Sequence, residues 1–232
     1  MVRESVPGGS PRRAVGWSAA ACAVSAATIG LLVAPPDQMQ GDAARLMYLH
    51  VPAAWTAYLC YLLVLVASAQ YLRTGHDSWH RRARVAAEIG VPLTALTIAL
   101  GSIWGRAVWG VWWAWDPRLV STALLGVIYC GYLALHHLGA DERGRRRAAW
   151  CGIVSAAVIP VVHFSVVWWR SLHQPATLLA PSANPPIDGM MAATLALAVV
   201  AFTLAATWLG LRRLAALDGQ IRGTSAVASV AR

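Results

Sequence analysis

The sequence predicts an all-α membrane protein of six transmembrane helices with an interfacial Trp-rich segment on its outer side. Three observations predict it. The chain is 58% hydrophobic and only 12% charged over 232 residues, with a positive mean hydropathy. Its apolar runs reach the roughly 20 residues that a helix needs to cross a hydrocarbon core of about 30 Å. Its arginines alternate between rich and poor connections, as topology demands. A single integral membrane domain over residues 1–232 is expected.

The first run, 15–34, follows Arg12 and Arg13 and stops at Pro35-Pro36. It is longer than the roughly 7–15 residues of a secretory signal and lacks a small-residue cleavage site, so it reads as an uncleaved span. The remaining spans are expected at 51–72, 85–104, 119–138, 149–169 and 189–211. Pro92 and Pro160 fall inside the third and fifth. Proline is tolerated there because neighbouring helices satisfy the freed carbonyls, and both positions are places for a kink.

All nineteen basic residues are Arg. Arg3, Arg12 and Arg13 precede the first span. Arg73, Arg81, Arg82 and Arg84 lie in the second connection, Arg143, Arg145, Arg146 and Arg147 in the fourth, and Arg212, Arg213, Arg222 and Arg232 in the tail. The first, third and fifth connections hold only Arg45, Arg106, Arg118 and Arg170. The positive-inside rule therefore places both termini in the cytoplasm and the three odd connections outside. This distribution accounts for the net charge of +9 without nucleic acid as a partner.

Several functions drop out. Cys22, Cys60, Cys130 and Cys151 show no CxxC, CxxCH or zinc spacing and read as small buried hydrophobes, which argues against thiol–disulfide chemistry. The short basic connections hold no phosphate-binding Gly-rich loop, so ATP hydrolysis is not expected of this chain.

The third connection concentrates tryptophan. Trp104, Trp109, Trp112, Trp113 and Trp115 stand in the run WGRAVWGVWWAWDPR. An aromatic belt at the interface explains one or two rings per helix end. Five in twelve residues suggest a flat shelf for a ligand, with Trp109, Trp112 and Trp113 on one face of any helix formed there. Asp116-Pro117 has the pattern of an N-cap followed by the first helical residue. Arg118 follows, placed to pair with a ligand carboxylate.

His50, in RLMYLHVPAAW, precedes the second span, and His173, in WWRSLHQPAT, follows the fifth. Topology puts both on the same outer surface as the tryptophans. Imidazole suits Zn, Cu and Fe, but no Cys, Asp or His cluster completes a zinc set. Two imidazoles beside a planar aromatic surface fit a metal porphyrin with two axial ligands, a haem. His163, about two turns inside the fifth span, is the rival ligand, because an ionisable group within the membrane is a functional candidate. His76, His80, His136 and His137 lie towards the cytoplasmic side.

The run WGxxWxWDPR, with RLMYLHVPAAW and WWRSLHQ, resembles the haem exporter protein C (CcmC) family of cytochrome c maturation over nearly the whole chain. The resemblance implies a multi-pass protein of the bacterial inner membrane that binds b-type haem non-covalently, in transit, on its periplasmic side. It implies promotion of covalent haem loading onto the haem chaperone CcmE, alongside the ABC transporter subunits CcmA and CcmB and the small membrane subunit CcmD. His50 and His173 become the axial ligands, and Trp104 to Trp115 with Asp116 the haem and chaperone platform. Arg45 and Arg118 match positions that hold the haem propionates.

The role is delivery rather than enzymatic turnover, with lyase-like assistance of haem attachment as the nearest catalytic variant. A membrane b-type cytochrome would pair histidines within facing helices, whereas here the pair sits at outer helix ends. A haem lyase acting directly on apocytochrome usually has more spans and a larger external domain. A secondary transporter would show broken helices near the midplane and an internal repeat. Cysteine labelling in the third connection of intact cells is expected to place the tryptophan segment outside; labelling only from the cytoplasm would remove the basis for the site.

Overall fold

The computed structural model describes residues 9–138, 141–173 and 187–230. Arg3, Gln174 and Arg232, which belong to the charge and motif patterns above, lie outside the described residues. Among the described residues, six helical segments are long and apolar enough to cross a membrane: Pro11–Val33, Asp42–Thr74, Asp77–Trp109, Pro117–His136, Glu142–Trp168 and Gly189–Gln220. The protein is an all-α membrane protein. In chain order its helices are α1 (Gly9–Thr28), α2 (Met47–Thr74), α3 (Asp77–Trp109), α4 (Pro117–Leu138), α5 (Glu142–Ser155), α6 (Val158–Trp168) and α7 (Gly189–Val230).

Local chemistry sets the ends of these helices. A π-helical segment, Ile29–Val33, extends α1 until Ala34 turns extended before Pro35, the conformation favoured by a residue that precedes proline. Asp37 accepts the N–H groups of Met39 and Gln40 at 2.9 and 2.8 Å, and Gly41 takes a φ of +56°, so the chain reverses into a 3-10 turn over Asp42–Leu46. Gly75, at φ +68°, closes α2 with its N–H on the Tyr71 carbonyl at 2.8 Å. Asp141 caps α5 by accepting from Gly144 N–H at 2.8 Å, and Asp188 caps α7 at Met190.

Three differences from the expected spans bear on function. Helix α2 begins at Met47, which puts His50 in its first turn rather than ahead of it. Helix α3 runs through to Trp109, so Trp104 and Trp109 are helical rather than loop residues. The fifth span is broken into α5 and α6 by a turn at Ala156-Ala157. Pro160 has no N–H for the Ala156 carbonyl, which accepts instead from Ile159 at 3.1 Å. Helix α3 passes through Pro92 unbroken.

The core lies where α2, α3 and α4 meet α5 and α6. Tyr61 and Tyr129 stack with centroids 3.6 Å apart, and the Tyr61 hydroxyl bonds Thr94 Oγ1 at 2.7 Å. Ala57, Val64, Ala86, Ala87 and Val162 close around them. Between apolar helices in lipid, close backbone approach and dispersion replace the hydrophobic effect, which explains the small residues here. A Cβ at Gly90 would stand 2.7 Å from Tyr61 Cε1. Helix α7 covers α1 and α2, and Arg213 ties it to α3 through Glu88, at 2.7 and 3.2 Å, with Arg84 on the same carboxylate at 2.8 Å.

Gly90→Ala is expected to lower the melting temperature of the detergent-purified protein, because overpacking against Tyr61 costs about 1–3 kcal/mol. Gly131→Ala, where a Cβ meets nothing within 4 Å, is expected to leave it unchanged or raise it slightly through helix propensity.

Candidate functional site

A cavity of ≈ 310 Å³ opens at the tryptophan end of the bundle, between α2, α3, α4, α6 and the segment after α6. It is at the lower end of the roughly 300–1,000 Å³ typical of ligand pockets. His50, His163, His173, Trp104, Trp109 and Arg118 all line it, together with Trp113.

His50 and His173 are each held through Nδ1 by an oxygen acceptor. On α2, His50 Nδ1 lies 3.0 Å from the Thr97 carbonyl of α3. A carbonyl only accepts, so Nδ1 carries the proton and Nε2 keeps its lone pair. The Trp104 ring meets the imidazole edge-on at 5.7 Å, and Trp104 Nε1–H donates to Gln40 Oε1 at 2.8 Å. His173 Nδ1 lies 3.3 Å from Asp116 Oδ1, which sets the same tautomer, and Trp109 meets its ring at 5.0 Å. Each imidazole thus presents Nε2, the arrangement in which a second acceptor fixes a metal-ligating histidine.

Asp116 organises the second of these. Its side chain is only 2% exposed. It accepts the Arg118 N–H on Oδ1 at 2.9 Å, as the cap of α4, and the Leu172 N–H on Oδ2 at 2.7 Å. Burial pushes its carboxyl pKa upward, but the Leu172 N–H, the Ser171 hydroxyl and the Arg118 N–H more than offset this and hold it below the usual range. The His173 pKa is lowered, first by burial, against the upward pull of Asp116 and with the Arg118 charge adding to the lowering. A neutral imidazole is the form that binds a metal.

Arg118 lies along the cavity, with Nη2 donating to the His163 carbonyl at 2.7 Å. Its Nε–H is buried without a hydrogen-bond partner among the described residues. That orphaned charged donor calls for an acceptor, and a ligand carboxylate is the natural one. The His163 ring packs edge-on against Trp55, Tyr58 and Phe164, and no hydrogen bond among the described residues orients it.

The tryptophan segment is divided rather than continuous. Gly110, at φ +78°, ends α3 just after Trp109, so the helix that would align Trp109, Trp112 and Trp113 does not form. Trp104, Trp109 and Trp113 face the cavity, whereas Trp112 and Trp115 are 60% and 86% exposed and lie outside it. Arg45 is not at the cavity either: it pairs with Asp42 at 2.8 Å and donates to the Gly30 carbonyl. Gln40, Thr97 and Gly101 carried no signal of their own in the sequence, since their role rests on contacts with residues far along the chain. At the opposite end, His80 stacks on His136 at 4.2 Å. Among the described residues no group of three or more His, Cys, Asp or Glu is placed to hold a bare metal ion.

Comparison with known proteins gives one consistent result. The family model described as Heme exporter protein C matches residues 9–225. The Heme exporter protein C of Bradyrhizobium diazoefficiens is 37% identical over 196 residues, 83% of this chain and 74% of the relative. That of Haemophilus influenzae is 35% identical over 185 residues, covering 79% and 75%. That of Escherichia coli K12 is 38% identical over 157 residues, covering 67% and 64%. With the six spans, the paired histidines and the tryptophan-lined cavity in place, this chain belongs to the haem exporter protein C (CcmC) family of cytochrome c maturation.

Proposed function

We propose that this protein holds haem as cargo in the cavity at the tryptophan end and delivers it to the chaperone CcmE, acting as a delivery component and not as an enzyme. One observation carries the reading: His50 and His173 line one cavity, each with Nδ1 anchored and Nε2 left to ligate. Two axial imidazoles saturate haem iron and keep it from stray chemistry. The haem is b-type, bound without a covalent link and in transit.

The residues divide the work. His50 and His173 are the axial ligands, and Asp116 sets the tautomer of His173. Trp104 and Trp109 brace the two imidazoles, while Trp113 supplies apolar wall. Arg118 takes a propionate on its unpartnered Nε–H. Arg45, committed to Asp42 and Gly30, serves the fold first and reaches a propionate only by changing partners. Trp112 and Trp115, exposed beside the cavity, form the surface that meets CcmE. The protein spans the bacterial inner membrane as one domain, with both termini cytoplasmic and the cavity periplasmic. CcmA, CcmB and CcmD are its partners, and energy for release comes from the ABC subunits.

The full-length protein in detergent, titrated with haemin, is expected to give a low-spin bis-imidazole absorption spectrum. His50→Ala or His173→Ala should shift it towards high spin and weaken retention, and added imidazole should partly restore it. His163→Ala should leave it alone. A low-spin spectrum that survives His173→Ala but is lost in His163→Ala would move the second ligand deeper into the membrane.

Delivery separates from binding in a second variant. Trp112→Leu with Trp115→Leu is expected to keep the haem spectrum while lowering covalent haem loading of CcmE several-fold, read by haem staining of the chaperone. Normal loading would reduce these rings to membrane anchors.

A further inference from the structure

Glycine inside a helix costs about 1 kcal/mol relative to alanine, so one at a site calls for a local reason. Gly101 lies in the interior of α3 and lines the cavity. A Cβ built there would stand 2.9 Å from His50 Cε1, 3.3 Å from Nδ1 and 4.0 Å from Nε2. All three nearest atoms belong to one imidazole. At Gly90, on the same helix, the crowded atoms are those of Tyr61 and Cys60, which is ordinary helix packing.

The position also relates to the acceptor. Gly101 is four residues after Thr97, whose carbonyl lies 3.0 Å from His50 Nδ1. A helical side chain covers the turn on the N-terminal side of its own Cα, so any side chain at 101 would crowd the imidazole where it approaches this carbonyl. The remaining wall is Trp104, itself fixed by Gln40. An imidazole displaced by a methyl group at 101 has Trp104 on one side and gives up Thr97 on the other.

We propose that Gly101 is a positioning residue for His50: the absence of a side chain there seats the imidazole on α3, with Nδ1 on the Thr97 carbonyl and Nε2 presented to the cavity. The proposal rests on the haem-ligation reading above. Glycine is needed because a Cβ would stand 2.9 Å from the ring, closer than side-chain carbons pack, and the Thr97 carbonyl then locks tautomer and orientation together. Gly101 makes no contact with haem in this scheme and acts only through His50.

The test is a cycle of four full-length proteins in detergent, unsubstituted, Gly101→Ala, His50→Ala and the double variant, titrated with haemin, with Gly131→Ala as a control for adding a methyl to a helix. Gly101→Ala is expected to move the spectrum from low spin towards high spin and to raise the haem Kd about tenfold, the scale typical of residues that orient a metal ligand. In the His50→Ala background the same substitution should change neither spectrum nor Kd. An unchanged spectrum and Kd in Gly101→Ala overturns the proposal. So does an effect equally large without His50, which would mean general packing. If Gly101→Ala is not recovered folded, recovery of the double variant supports a clash with the ring, and its failure overturns that. A His50→Ala protein that keeps the full low-spin spectrum instead overturns the ligation reading itself.

Discussion

The site depends on one buried carboxylate. Asp116 begins α4 by capping it, fastens the chain beyond α6 through the Leu172 N–H, and orients His173. These tasks are compatible because a carboxylate has about four lone-pair sites spread over two oxygens. Burial alone would favour the neutral acid, yet several N–H and O–H donors converge on it and keep it ionised. Removing the charge would leave those donors unsatisfied, at a cost of about 1–3 kcal/mol for each buried one. Architecture and ligand orientation are therefore coupled at a single side chain.

The other wall has no such charge. His50 is placed by helix packing, with the main-chain carbonyl of Thr97 as its acceptor and Trp104 as its brace. A carbonyl is neutral and immovable, so its imidazole is set by the distance between α2 and α3. That distance is in turn held by the small residues Ala57, Ala86 and Ala87 and by the Tyr61–Thr94 hydrogen bond below the cavity. Two histidines in comparable chemical states are thus reached by different means, one electrostatic and one steric.

The His173 wall hangs from a connection beyond α6, anchored by Asp116 and by the Ser171 hydroxyl on its own N–H at 3.0 Å. The His50 wall belongs to the helical core. Arg118 lies between the walls, and its bond to the carbonyl of His163 ties α4 to α6 beside the cavity.

The sequence alone determined the class. Length and hydropathy gave six spans, since a bilayer of fixed thickness demands about 20 apolar residues per crossing. Charge supplied an expectation for the sidedness of His50, His173 and the tryptophan run, from a rule that needs no coordinates. Asp116-Pro117 was legible as a helix start because capping is local. Tertiary structure decided which of these residues meet. It brought Trp104, Trp109, Trp113 and Arg118 to the cavity; Trp112 and Trp115 fell outside because a left-handed Gly110 stops α3 and divides the tryptophans, and Arg45 because it is held by Asp42 and the Gly30 carbonyl. It also supplied Thr97, Gln40 and Gly101, whose roles are a carbonyl, a side-chain acceptor and an empty space. None of the three has a pattern in the sequence, because each is defined by a partner dozens of residues away.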